Sequence, residues 1–357
     1  MTSKFEYIRV TDIDKWKIDS NIGIEKNIYP SDNLTSEQWI FLTPNEQKLW
    51  DQIYKNSIIL NDNLVAEPFT GIQSSKDAIY VIKKWTRNGD FIEFIDKNGT
   101  NRALEKDILK SYLLPANSGK NSFKSFETIT NHGWIIFPYE VKEGKAKTIP
   151  ENTFKQKFPN AYHYLSAFKL DLSKRDLDKH STDWYMFGRG HALTKIENQP
   201  KIIVGVLFKG ERYIYDENNL YFQTGGTAGY VGIKMRKNSK YSIFYILGLL
   251  NHPALEWVSS KKASTFVNNH IAHGELLLKE LPIRKIDFSN PDEQKIHDQV
   301  VLFVKEIIEH HKTKKDAVTE RDHSLILKQI SEKRIELDKV INSLYDIDNL
   351  MKYVEVP

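Results

Sequence analysis

Residue 290 divides this chain into two kinds of pattern, and that division constrains the fold more than any single motif. Beyond it, Ile296, Val300, Phe303, Val304, Ile307 and Ile308 recur at intervals that place side chains on one face of an α-helix. Asn290-Pro291-Asp292-Glu293 starts this helix with its acids in the first turn, where the helix dipole favours them. A charged break over 312–322 follows. Leu325, Ile326, Ile330, Leu337, Val340, Ile341, Leu344 and Tyr345 then mark a second helix. The two stripes need something to bury them, either each other or a partner surface.

Before residue 290 most apolar runs are of strand length and are punctuated by Gly, Pro, Asn and Asp. Examples are 58–60, 78–82, 91–95 with its closing turn Asp96-Lys97-Asn98-Gly99, 134–139 and 201–208. Residues 213–215 and 220–222 read as two strands paired around Asp216-Glu217-Asn218-Asn219. Helices are predicted over 104–114, over 159–173 ahead of Lys174-Arg175, and over 241–250. Thr43-Pro44-Asn45-Glu46 is a capping box for a helix whose stripe is Leu49, Trp50, Ile53 and Tyr54. Strands followed by segregated helices predict an α+β fold: a strand-rich body with flanking helices and a C-terminal helical pair. The divisions are a polar connector over 1–45, a body over 46–289 (two lobes, 46–115 and 126–289), and a helical region over 290–357.

Composition removes several chemistries. The 357 residues include no cysteine, which excludes disulfides, thiolate zinc sites and a Cys nucleophile. No apolar run is long enough to span a bilayer, and the first residues lack a signal-type apolar core. A cytoplasmic protein with no membrane partner is therefore expected. The net charge is only +4, so attraction to a polyanion has to come from local clusters. The 17 Tyr, 18 Phe and 7 Trp favour sheets and packed interfaces.

Residues 184–232 supply the clearest recognition signal. Trp184-Tyr185-Met186-Phe187-Gly188-Arg189-Gly190-His191 sets one cation among aromatics and glycines, and Phe222-Gln223-Thr224-Gly225-Gly226-Thr227-Ala228-Gly229-Tyr230 is a second glycine loop. Glycine permits close approach to another molecule, and an arginine offers two parallel donors to a guanine edge or a phosphate. Lys234, Arg236, Lys237 and Lys240 follow the second loop, while Lys261 and Lys262 stand near Ser259, Ser260, Asn268, Asn269 and His270. Cations mixed with small polar residues suit a phosphate backbone. A solvated surface is the plainer reading of each cluster.

Other motifs lead nowhere. No strong strand precedes Phe187-Gly188-Arg189-Gly190 and no long helix follows it, so it is not a dinucleotide turn. His270 and His273 have no matched carboxylates, and His310 and His311 point in different directions, so no zinc site is expected. Pro291-Asp292-Glu293-Gln294-Lys295 and Glu143-Gly144-Lys145 compress nuclease-like residues into single turns, whereas a metal nuclease needs acids converging from separate strands.

An ordered set of elements resembles a known family. Gly71-Ile72-Gln73-Ser74-Ser75-Lys76-Asp77-Ala78-Ile79-Tyr80-Val81-Ile82 is similar to its GIQT-x-x-D-x-V-(F/Y)-V-(I/L) element. Leu104 to Lys110, Trp134-Ile135-Ile136-Phe137-Pro138-Tyr139, the helix over 159–175 and Trp184 to Arg189 follow in the same order. Leu281-Pro282-Ile283 and Leu337 to Tyr345 resemble its closing elements. The chain resembles, over roughly residues 5–347, the TaqI-like C-terminal specificity domain of adenine-specific DNA methyltransferases and fused type II restriction–modification enzymes. The resemblance implies a target-recognition region that faces a methyltransferase domain or subunit across double-stranded DNA. That partner would bind S-adenosylmethionine and receive a flipped adenine. Its Asn-Pro-Pro-Tyr-type motif is absent here, so this chain is expected to hold no catalytic residue, metal or cofactor of its own. It would be either the C-terminal part of a larger enzyme or a separate specificity subunit.

Loops 71–77, 184–195 and 224–237 are expected to face the duplex. Gln73, Arg189, His191 and Thr227 are the candidates for base edges. Lys174, Arg175, Lys195, Lys234, Arg236, Lys237, Lys261 and Lys262 are the candidates for phosphates. The rival expectation is a protein-binding module of a defence complex, since abundant aromatics and amphipathic helices suit that role too.

Overall fold

A four-stranded antiparallel sheet separates two hydrophobic cores. Its order is Ile214–Asp216, Lys201–Gly205, Tyr230–Met235, Ala66–Thr70. Side chains alternate faces along a strand, so Ile202, Val204, Val231, Ile233 and Ala66 enter one core while Ile203, Ile214, Tyr230 and Phe69 enter the other. This computed structural model describes residues 3–31, 39–115, 124–127, 129, 132–175, 177, 183–196, 199–208, 210, 212–224, 226, 229–263 and 270–354.

The first core is helical. Helices Ile243–Leu250 and Pro253–Lys262 cover the sheet, and the long helices Pro291–Lys315 and Glu320–Tyr345 pack outside them. Val300, Val304 and Leu337 sit against Gly248. Apart from Leu325, which is 55% exposed, the stripes read from the sequence pack on each other and on the body, in the same core as Leu49 and Ile53. Arg334 donates to Ser125 and to the Asn251 carbonyl, and the Tyr345 hydroxyl donates to the Pro282 carbonyl at 3.0 Å. These bonds tie the last helix to the body.

The second core is aromatic. It joins the sheet Val81–Ile82, His132–Ile136, Leu109–Leu113 and the meander Thr86–Asn88, Phe91–Ile95, Asn101–Glu105 to helices Glu151–Lys157, Pro159–Ala167 and Lys169–Ser173. The fold is α+β, with the expected pair of C-terminal helices. Because Ala66–Thr70 pairs with Tyr230–Met235, the blocks 46–115 and 126–289 share one sheet. Among the described residues no helix is long and apolar enough to cross a membrane.

Several local expectations are corrected. Residues 104–114 are not a helix: they end one strand, Asn101–Glu105, make a single 3-10 turn and form another, Leu109–Leu113. Leu104, Ile108, Leu109 and Tyr112 mimic helical spacing, but cross-strand pairing overrides that local signal. Residues 78–82 begin with a helical turn, Asp77–Tyr80, and only Val81–Ile82 is strand. Ile214–Asp216 pairs with Lys201–Gly205 and not with 220–222, because the buried Asp216 carboxylate turns the chain away. It accepts from the Asn218 and Leu220 amides at 2.9 and 3.0 Å and faces Lys201 Nζ at 2.6 Å.

The connector over 1–45 is largely folded. Lys4–Val10 and Ile24–Pro30 form a hairpin, with helix Ile13–Ile18 between them. On its inner face Phe5 stacks on Tyr29 at 5.5 Å and Tyr7 on Phe41 at 5.0 Å. Arg9 reaches Glu46 at 2.9 Å, inside the predicted capping box of helix Pro44–Tyr54.

Candidate nucleic-acid interface

Three segments distant in sequence lie side by side. Ile72 donates to the Phe222 carbonyl and its own carbonyl accepts from Thr224, both at 2.9 Å. On the other edge Arg189 donates to the Gln73 carbonyl at 3.3 Å and Gly188 to the Ser74 carbonyl at 3.1 Å. Residues 72–74 are therefore the middle rung of a short ladder between 188–189 and 222–224. Two glycines permit this approach. A Cβ at Gly71 would lie 2.3 Å from the Phe222 carbonyl oxygen, and one at Gly188 would lie 2.0 Å from the Ser75 hydroxyl. Neither neighbour could yield without breaking the ladder.

The aromatic part of 184–191 is an anchor. Tyr185, Met186, Phe187 and Gly188 are buried, Trp184 and Arg189 are half-buried, and Gly190 and His191 are exposed; Arg189 Nη1 donates to the Gly188 carbonyl at 3.1 Å. Buried hydroxyls hold the backbone here: Tyr80 donates to the Tyr185 carbonyl at 2.8 Å, and Tyr139 accepts from the Phe187 amide at 2.5 Å. Arg175 is a brace. Its Nε donates to the Leu172 carbonyl at 2.9 Å, Nη1 to Ser74 at 2.8 Å and Nη2 to Trp184 at 2.9 Å, with its guanidinium 5.4 Å from the Tyr80 ring centre. It links two of the three segments to the end of helix Lys169–Ser173.

Lys195, Lys234 and Arg236 converge on Glu67, at 2.9, 3.5 and 3.1 Å. Glu67 is directly opposite Lys234 in the sheet. Burial pushes its carboxyl up, but Lys195, Lys234 and Arg236 outweigh that and hold it below the usual range. One carboxylate facing three cations leaves the cluster positive.

The other candidates scatter. Lys174 and Lys237 are exposed. Lys261 is tied to Glu46 and Lys262 to Glu280, both at 2.6 Å, so these two brace the hairpin side of the helical core. Thr227 lies outside the described residues, as do Asn268 and Asn269. Gln223 went unremarked among the candidates, although it is adjacent to the glycine loop and bridged to Ile72. Its amide oxygen is buried with no hydrogen-bond partner. Glu67 was missed because a single acid inside a strand carries no sign of which cations will surround it.

The expectation that His273 has no carboxylate partner is also corrected. Its Nε2 lies 3.1 Å from Glu256, 17 positions earlier, with both side chains fully buried and Phe208 stacked on the ring at 3.8 Å. Among the described residues no group of three metal-ligating side chains is disposed to hold an ion.

No protein-family profile matches the chain. It is 28% identical over 357 residues to the type II restriction enzyme and methyltransferase RM.Eco57I of Escherichia coli, covering 97% of this chain and 35% of that protein. The chain thus spans about a third of that relative's length and is related to part of a restriction–modification enzyme. Among solved structures it is similar to the type IIG restriction endonuclease BpuSI, at 12% identity and a TM-score of 0.38, covering 96% of this chain and 40% of that one. A score that low establishes no shared fold.

Proposed function

We propose that this chain reads DNA sequence for an adenine-specific restriction–modification enzyme, as a TaqI-like specificity region whose methyl transfer takes place on other polypeptide. The observation that carries the reading is the ladder joining 188–189, 72–74 and 222–224. Sequence-distant loops with polar and cationic tips share one surface, and buried aromatic rings hold them rigid. The match to RM.Eco57I supports the restriction–modification context.

Arg189 is assigned to a guanine edge and Gln73 to an adenine edge, the pairings that suit a guanidinium and an amide. His191 and Thr227 complete the base-reading set. Lys195, Lys234 and Arg236, with exposed Lys174 and Lys237, neutralise phosphates. Arg175 positions the loops. The methyltransferase part, with S-adenosylmethionine, docks on the outer face of the N-terminal hairpin. Ile8, Val10 and Ile28 are 45%, 41% and 61% exposed there, around a Lys26–Glu6 ion pair, a mixture of exposed apolar and charged side chains that suits a protein interface.

Selection of bound duplexes from a randomised pool tests the reading. The chain should enrich a defined sequence, and Arg189→Ala should relax it by about 1–3 kcal/mol at one position with a smaller loss of nonspecific affinity. Equal losses in both would reduce Arg189 to a backbone contact, and no enrichment by the unaltered chain would overturn the reading. Purified chain supplied with tritiated S-adenosylmethionine should transfer no methyl group to DNA. Incorporation above background would place catalysis here after all.

A further inference from the structure

A cleft of about 990 Å³ opens beside the reading surface and has no part in the contacts described so far. Its wall begins at Ala78, immediately after the 71–77 segment, and continues through 81–86, the meander strands and Tyr164. This volume is at the upper end of the roughly 300–1,000 Å³ typical of small-molecule sites.

Its chemistry is mixed in a specific way. Trp85 lines it, half-buried, with the indole N–H 3.5 Å from the His132 carbonyl and the ring edge-on to Trp134 at 5.6 Å. These contacts fix the indole in place. Four cations, Lys83, Lys84, Lys97 and Arg102, line the cleft against two carboxylates, Glu93 and Asp96. Asp96 is already satisfied: Arg102 lies 2.8 Å away and the Asn98 and Thr100 amides donate to it at 2.8 and 3.0 Å. Glu93 accepts from Asn88 at 2.7 Å, and Lys97 pairs with Asp171 at 2.6 Å. Lys83 and Lys84 are exposed and have no carboxylate partner among the described residues.

We infer that this cleft binds one nucleotide, its base stacked on Trp85 and its phosphate on Lys83 and Lys84. Aromatic rings beside unpaired cations are the usual means of holding an unpaired nucleotide, because every base offers a π-face and every phosphate a charge. A hydrophobic ligand would not call for two unpaired ammonium groups, and an inorganic anion would not need the indole. The nucleotide comes either from the bound DNA, displaced from its duplex, or from free solution. Adjacency to Ala78 favours the DNA, and that choice rests on the reading role proposed above.

The test uses the full chain and three probes: a paired duplex, the same duplex with one bulged 2-aminopurine, and free 2′-deoxyadenosine 5′-monophosphate. The bulged duplex should bind about tenfold more tightly than the paired one, as loss or gain of one stacked base implies, with 2-aminopurine fluorescence quenched. Trp85→Ala and the surface double variant Lys83→Ala/Lys84→Ala should each abolish the preference, while paired-duplex affinity changes less. A thermal midpoint within a few degrees of the unaltered chain would show that the variants fold. Tight binding of the free nucleotide, lost in the same variants, with no preference for the bulge, would keep the site but assign it to a soluble nucleotide. Paired-duplex binding without bulge preference or nucleotide binding would overturn the cleft inference alone. Failure of paired-duplex binding with nucleotide binding intact would instead overturn the reading role.

Discussion

Arg175 and Arg189 stand on opposite sides of one distinction. Arg175 donates to three carbonyls, two of them in the loop segments, so its action is on geometry. Arg189 emerges at the tip of the same ladder. Arg175→Ala should lower stability by about 2–3 kcal/mol, the scale of hydrogen bonds made by a charged group, and blur sequence preference. Its salt dependence of binding should stay unchanged. Arg175→Lys should not rescue it, because an ammonium lacks the rigid fork. A salt slope smaller by about 0.9 in Arg175→Ala would instead mark it as a phosphate contact. Glu67→Gln should act in the other direction. Removing the anion that faces Lys195, Lys234 and Arg236 should raise nonspecific duplex affinity several-fold, as a fluorescence-anisotropy titration would read.

At the scale of elements, legibility followed locality. Capping boxes and helical stripes are written within a few residues, so the Thr43/Glu46 cap and both long helices are visible in the sequence. Strand partners are not. The 104–114 segment has helical spacing and falls in two strands because Phe91–Ile95 pairs with the first and His132–Ile136 with the second. The N-terminal hairpin hid behind a polar composition because Lys4, Glu6, Glu25 and Lys26 interrupt its apolar positions, and the Phe41 that completes its aromatic inner face of Phe5, Tyr7 and Tyr29 comes later. At the site, the Arg189 loop and the glycines are legible, but Arg175 reads as a phosphate contact. Nothing local reveals that its partners are carbonyls up to 101 positions away.

The helical half holds two histidines and a carboxylate whose burial and partners give a pH dependence. Burial pulls His252 down to about 3 and His311 down to about 4. Both stay neutral in the fold while the unfolded chain takes up protons below about 6.5. Their contribution to stability should therefore be full above that pH and be lost as pH drops from about 6.5 toward 4 for His311 and toward 3 for His252. Glu46 adds a second phase: burial raises its carboxyl, but Arg9 and Lys261 outweigh this and bring it to about 2. Its contribution, full above about 4.5, is lost as pH falls from there toward 2. Thermal midpoints across this range should show both phases, and His311→Gln should flatten the upper one. An unchanged slope in that variant would assign the titration elsewhere.

For the whole molecule, the partitioning sheet sets a division of labour. Its helical side buries the C-terminal pair and fixes the sheet; its aromatic side fixes the loops. The buried stripes of the long helices are therefore scaffold, and the exposed hairpin face is the surface proposed for a partner. Tyr80, Tyr139 and Arg175 hold the backbone of the proposed reading surface from beneath. Rigid presentation is what lets a few side chains discriminate between bases. The measurement that tests this most directly is duplex-DNA affinity against salt concentration. Engagement of Lys174, Lys195, Lys234, Arg236 and Lys237 with phosphates should give log K falling against log salt with a slope of about −4 to −5, made shallower by about 0.9 for each of these cations removed. Binding that ignores salt, or no binding at low salt, would contradict a DNA-reading role.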